Sequence, residues 1–145
     1  MSGGETDYRL SLAHGYLAEA EGEMSSARWR ACVSGCQLSA ENGAKAVLSL
    51  IGPVEHTHRP AEPLREACDE GRVAEAHVEW VRALADRADT LGPRIHAQSD
   101  YGDQDTLVTP WELFGAHEAS EAIDTAREAV RLADALVEAL TAHGQ

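Results

Sequence analysis

The chain has 145 residues, with 25 acidic and 12 basic side chains and a formal net charge of −13. That balance speaks against broad, sequence-independent binding to a phosphate backbone, which needs a positive surface to displace counterions, while leaving room for a local basic pocket. The length suits one domain able to bury a core without metal or disulfide staples. A composition led by Ala, Glu, Leu and Arg, with few β-branched and aromatic residues, reads as all-α.

The first helix is expected from about Thr6 to Met24, where Leu10, Leu12, Ala13, Tyr16, Leu17 and Ala20 form a stripe at helical spacing. Ser25 and Ser26 interrupt it. The second is expected from about Ala27 to Ile51, with Gly52-Pro53 as its stop. Its apolar seam is Trp29, Cys32, Val33, Cys36, Ala40, Val47, Leu48 and Ile51. Beside the seam lies a ridge of small residues, Ala31, Gly35, Ser39 and Gly43. Two glycines inside a helix cost about 1 kcal/mol each relative to alanine, so a closely approaching helix must compensate, either within the bundle or across a dimer interface.

A further ridge of the same helix carries Gln37, Glu41 and Lys45, four apart, and Lys45 is the only lysine beside 11 arginines. An exposed Glu–Lys pair at this spacing stabilises by only roughly 0.2–0.5 kcal/mol, too little to account for the choice. Glu41 and Lys45 admit two readings: a buried ion pair that fixes the register of the bundle, or part of a nucleotide pocket.

The segment from Pro53 to Pro63 holds three prolines and two histidines and is expected as a loop leading to a short helix from about Ala61 to Glu70, ended by Gly71. The fourth helix runs from about Val73 to Leu91, and Gly92-Pro93 terminates it. Between Pro93 and Val108 no period is sustained, and about sixteen residues without clear secondary structure are expected there. Thr109-Pro110-Trp111-Glu112 is a capping-box start for the last helix, which reaches about Ala142 along a seam of Ala119, Ala122, Ala126, Val130, Ala133, Val137 and Leu140. The result is an antiparallel bundle of four long helices and one short one, in a single domain spanning residues 1–145. No apolar run approaches the ~20 residues that cross a bilayer, and a cytoplasmic protein with no membrane partner is expected.

These segments, in this order, resemble the HEPN family (higher eukaryotes and prokaryotes nucleotide-binding domain). Gln37, Glu41, Lys45 and Ala46 match its Gln-x3-Glu-x3-Lys-Ala core, Thr57 and His58 its Thr-His turn, and Arg94 with Tyr101-Gly102-Asp103 a lengthened form of its Arg and Tyr-Pro-Asp element. The resemblance covers nearly the whole chain. It implies a helical bundle that usually forms a homodimer, a nucleotide or RNA ligand, and for many members endoribonuclease activity, including toxins paired with a nucleotidyltransferase antitoxin. The ribonuclease motif of the family is an Arg, a polar residue, and a His after four to six intervening residues near the start of the last long helix. Here His96 follows Arg94 too closely. Arg9 with His14 and Arg72 with His77 have the spacing but lie in the wrong helices, and five positions turn a helix by roughly 140°, off a shared face.

Metal-free RNA cleavage needs groups that move protons and a cation that holds phosphate, which His96 and Arg94 supply once each, with a second copy completing the set in a dimer. Against that stands a loop Arg and His that merely cap a helix. Tyr101 is read either as a base-stacking residue or as a turn tyrosine covering the bundle end, Asp103 as a ligand contact or a solvated turn cap, and His58 as a ligand contact or a helix cap. No metal or cofactor is expected: His56 and His58 lack a third ligand, and Cys32, Cys36 and Cys68 read as buried apolar residues. Trp29, Trp80 and Trp111 read as core or dimer-interface residues. No aromatic row alternating with basic residues is recognised, so the commonest single-strand platform is not expected. The favoured reading is a nucleotide-, RNA- or nucleotidyltransferase-binding module without the ribonuclease activity of the family; the alternatives are an endoribonuclease toxin using Arg94 and His96, and a dimeric scaffold.

Overall fold

The computed structural model describes residues 3–52, 57 and 59–143, and its elements are α1 (Gly4–Ser25), α2 (Trp29–Ile51), α3 (Ala61–Asp69), α4 (Glu75–Thr90), α5 (Pro93–Tyr101), α6 (Pro110–Leu113) and α7 (Ala116–His143). The architecture is all-α, as the composition requires. The four long helices are α1, α2, α4 and α7, and α3 is the short helix read from the sequence.

Helix α2 occupies the centre of the bundle, and every residue from Ser39 to Leu48 is buried. Helix α1 lies antiparallel to it. Thr6 Oγ1 meets Ser49 Oγ, Arg9 donates to Asn42 Oδ1 at 3.0 Å, and Ser39 Oγ donates to the Ala13 carbonyl at 2.7 Å. Helix α7 runs parallel to α2, with Ala119 beside Cys32 and Ala133 beside Gly43, and antiparallel to α1 through Arg127–Glu21 and His14–Asp134. A Cβ added at Gly35 would lie 3.1 Å from Ala20 Cβ, and one at Gly43 would lie 3.4 Å from Ala133 Cβ. The small-residue ridge is therefore covered from inside the bundle, by α1 and α7. Those contacts offset what the glycines cost in helix propensity.

The core between the helices is made of aliphatic side chains, among them Val33, Val47, Leu48, Leu64, Val81, Leu84 and Leu136, all at most 2 % exposed. Burying each contributes about 1.5–3 kcal/mol. Cys32, Cys36 and Cys68 are buried free thiols, and burial holds all three above the ordinary thiol range. They pack as small apolar groups and offer no reactive thiolate.

Three expectations are corrected. The stretch from Pro93 to Val108, read as lacking secondary structure, begins with the nine-residue helix α5. Pro93 sits in its first turn, and it stops at Gly102, whose φ of 73° and ψ of −147° suit glycine. An isolated bridge between Asp103 and Val108 closes the rest into a turn. The last helix is also broken: the capping box of Thr109 and Glu112 is present but starts only the one-turn α6, Phe114 is extended, and α7 starts anew with the Gly115 N–H donating to Glu118 Oε1 at 2.7 Å. The tryptophans divide as well. Trp29 packs against the core, whereas Trp80 and Trp111 are 44 % and 73 % exposed, so the core reading fails for those two. No helix among the described residues is long and apolar enough to cross a membrane.

Lys45→Met should destabilise the chain by about 3–5 kcal/mol in urea melts, because it strands a buried Glu41 carboxylate; a loss below about 1 kcal/mol would remove the pair from the fold's supports. A Cβ at Gly102 would stand 2.0 Å from the Val108 carbonyl oxygen. Gly102→Ala should therefore cost at least about 2 kcal/mol by thermal or urea unfolding, and a neutral result would contradict the turn geometry described here.

Candidate functional site

Positions 30, 37, 41 and 45 share one side of α2, since separations of seven and four are close to whole turns of an α-helix. Helix α5 packs on that side. Ile95 lies against the core and Ser99 is buried, which turns α5 so that His96 approaches α2. Arg30 fastens the far end: its Nε donates to the Ser99 carbonyl, and its Nη2 lies 3.3 Å from Asp100 Oδ1.

A continuous polar chain follows. Lys45 Nζ donates to Glu41 Oε2 at 3.0 Å, Gln37 Nε2 donates to Glu41 Oε1 at 3.0 Å, and Gln37 Oε1 stands 3.0 Å from His96 Nδ1. Lys45 and Glu41 are 7 % exposed and Gln37 1 % exposed. The ion pair is thus buried and hydrogen-bonded on both carboxylate oxygens, the arrangement in which such a pair is tolerated. It is linked through a single amide to a half-buried histidine on the neighbouring helix. The helix with the buried pair and the segment with the candidate histidine, separate in the sequence, form one cluster.

The other described candidates, Arg94, Asp103 and Tyr101, lie on or just after α5. Arg94 is exposed, and two residues along a helix turn it by about 200° from His96, so the two do not form a pair on one face of α5. Asp103 caps the turn after α5, its Oδ1 accepting from the backbone N–H groups of Asp105 and Thr106. The Thr106 N–H does most to hold its carboxyl below the usual range, and the charge of Arg94 adds a smaller effect. Tyr101 closes α5 and is 67 % exposed, so it does not cover the end of the bundle. His58 and His56 lie outside the described residues.

Sequence reasoning overlooked a neighbouring groove of about 390 Å³, lined by Ala27, Arg28, Trp29, Arg30, Trp111 and Phe114 among others. Trp111 reaches it from α6, Phe114 from the segment just after α6, and Arg28, Trp29 and Arg30 from the start of α2. Arg28 has only a loose tie, with Nε 3.9 Å from Glu23 Oε2, an oxygen that makes no hydrogen bond. The run Arg28-Trp29-Arg30 is the signal that was available: aromatic and basic residues do alternate there, and α6 supplies the second indole from a distant part of the chain. Arg30 joins groove and cluster, because its guanidinium contacts the end of α5. Indole faces suit stacking, guanidinium groups suit anions or further stacking, and His96 suits hydrogen bonding or proton transfer.

No curated protein sequence matches the chain. Among solved structures, the crystal structure of TT1696 from Thermus thermophilus is similar, with a TM-score of 0.69 at 19 % identity, over 92 % of this chain and 99 % of that one. At that identity the similarity speaks for the fold. The family model described as HEPN domain matches residues 6–136, from the first turn of α1 to far along α7, and the chain belongs to the HEPN domain family.

Proposed function

We propose that the chain is a binding module for single-stranded RNA or a nucleotide end, with its contact surface running from His96 over the C-terminal end of α5 into the Trp29–Trp111 groove. The observation that carries the reading is the gathering of exposed apolar side chains on this stretch. Of the five large hydrophobic residues exposed among the described residues, Tyr101, Leu107 and Trp111 fall within eleven positions of one another. With Arg28 and Arg30 in the adjoining groove, the surface offers π-faces with cations beside them, the combination that holds unpaired bases with little regard to sequence. A formal charge of −13 limits such binding to a local footprint. Few phosphates are engaged, and the salt dependence is shallow.

Arg94 and His96 diverge on α5, so the two do not act together on one helical face. This favours binding over cleavage. The second reading, a metal-independent endoribonuclease, draws its support from the fixed hydrogen bond at His96, which is the preparation a general base requires. In that reading a homodimer brings a second Arg94 toward the same phosphate. A single-domain, dimeric module that also docks a nucleotidyltransferase through the α5 surface is consistent with either reading.

One experiment separates them. A labelled mixed-sequence oligoribonucleotide is titrated with the protein in EDTA at low salt, following anisotropy and tryptophan quenching, and the RNA is afterwards run on a denaturing gel. The binding module predicts saturable binding, intact RNA, and affinity about 5- to 150-fold weaker in Trp111→Ala, the equivalent of one lost stacking contact of about 1–3 kcal/mol. RNA cut by the wild type and left whole by His96→Ala would establish the endoribonuclease instead. Neither binding nor cleavage would overturn both and leave a scaffold.

A further inference from the structure

We infer that Leu107 is an apolar wedge that enters between two neighbouring bases of a bound single strand, an inference that rests on the RNA-binding reading above and deepens it. Of the large hydrophobic residues exposed among the described residues, Leu107 is the most exposed, at 86 %. Its backbone is strained as well. A φ of 61° puts a bulky side chain in the left-handed region, which residues other than glycine, asparagine and aspartate seldom enter. The leucine therefore works against the fold twice: it buries little of its surface in this chain, and glycine or asparagine would hold the same turn with less strain. A strained side chain directed away from its own core is suited to a contact with something else.

The turn that presents it is well tied. Asp103 and Val108 exchange backbone hydrogen bonds of 2.8 and 3.0 Å, and Asp103 Oδ1 accepts from the N–H groups of Asp105 and Thr106. Gly102 and Pro110, at the base of the turn, are buried. A tip held in this way loses little freedom when a ligand meets it. The same base brings the two exposed aromatics beside the tip: Gly102 lies against the backbone of Val108, Thr109 and Pro110, so Tyr101 and Trp111 flank a single backbone contact.

An aliphatic side chain has neither a π-face for stacking nor an atom for hydrogen bonding. What it does to a nucleic acid is open a base step, after which the parted bases need new faces to stack on. Tyr101 and Trp111 offer them. Charge orients the strand. Asp105 on the exposed turn repels phosphates, Asp103 is turned to its own backbone, and Arg28 and Arg30 line the groove that Trp111 also lines. The bases thus meet the tip while the phosphates run toward the arginines. A step in a single strand opens more cheaply than one locked by pairing, so the wedge also selects unpaired RNA.

Two measurements on the full chain test this. Leu107→Asn keeps a residue that tolerates positive φ and removes the apolar side chain. Its thermal midpoint should equal or exceed that of the wild type, while its affinity for the labelled oligoribonucleotide falls by about 5- to 20-fold, part of what the full burial of a leucine contributes. Leu107→Gly, which relieves the same strain, should lose affinity alike. A lowered midpoint with unchanged affinity makes Leu107 a support of the turn and overturns the wedge. In the second measurement a propyl spacer is inserted at one step of the oligoribonucleotide and moved along the strand, so that the step is opened in advance. The wild type should bind one or more of the spacer strands about 3- to 10-fold more tightly than the unmodified strand, and Leu107→Asn should bind them all alike. A preference that is absent, or that survives in Leu107→Asn, overturns the wedge and leaves the RNA reading standing. Binding of no strand by the wild type overturns the RNA reading and the wedge with it.

Discussion

A lysine and a glutamate buried together in the central helix impose the constraint on which the rest of this structure depends. Taking two charges out of water is costly, and the cost is recovered only where each charged atom is met by a partner. Lys45 and Glu41 meet on one carboxylate oxygen, Gln37 donates to the other, and the far side of that amide lies 3.0 Å from His96 Nδ1. The small residues of α2 serve the same end. Gly35, Ser39 and Gly43 let α1 and α7 close over two sides of the helix, so that the polar ridge faces α5. Fold and candidate site are thus two sides of one helix.

Much of the bundle was legible because long helices repeat their apolar residues many times. The seams of α2 and α7 persist over about six turns and the stripe of α1 over about three, and punctuation such as Gly52 and Gly92 marked the ends of α2 and α4 well. Helix α5 escaped for the opposite reason. In nine residues only Ile95 packs an apolar side chain against the core, while His96, Ser99 and Asp100 meet α2 through polar atoms, so no apolar period forms. Its punctuation was nevertheless present, with Pro93 in the first turn and Gly102 at the stop. The break at Phe114 and Gly115 was hidden because the residues on either side continue to suit a helix; the sign was a second N-terminal acceptor, Glu118, three residues past Gly115.

The candidate site was legible residue by residue and not as an arrangement. Gln37, Glu41, Lys45 and His96 could each be named, but their connection depends on the rotation of α5 about its axis, which a short helix with no clear stripe does not declare. Arg94 and His96 illustrate the converse, since two positions apart in a loop suggests proximity and two positions apart on a helix means opposite sides. Trp80 and Trp111 sit at helical spacings that a core residue would also have, and periodicity alone does not distinguish a face covered by the same chain from one left for a partner. The Trp29–Trp111 groove is assembled from segments some eighty residues apart, so only the tertiary structure completes it.

The claim at the centre of this account is that the buried pair and the histidine are energetically one unit. A double-mutant cycle between Lys45→Met and His96→Ala, with unfolding free energies from urea melts, measures that directly. The hydrogen-bonded chain through Glu41 and Gln37 predicts a coupling energy between about 0.5 and 3 kcal/mol for these two ends. Losses that add to within about 0.3 kcal/mol would mean that His96 merely rests beside α2, and would contradict it.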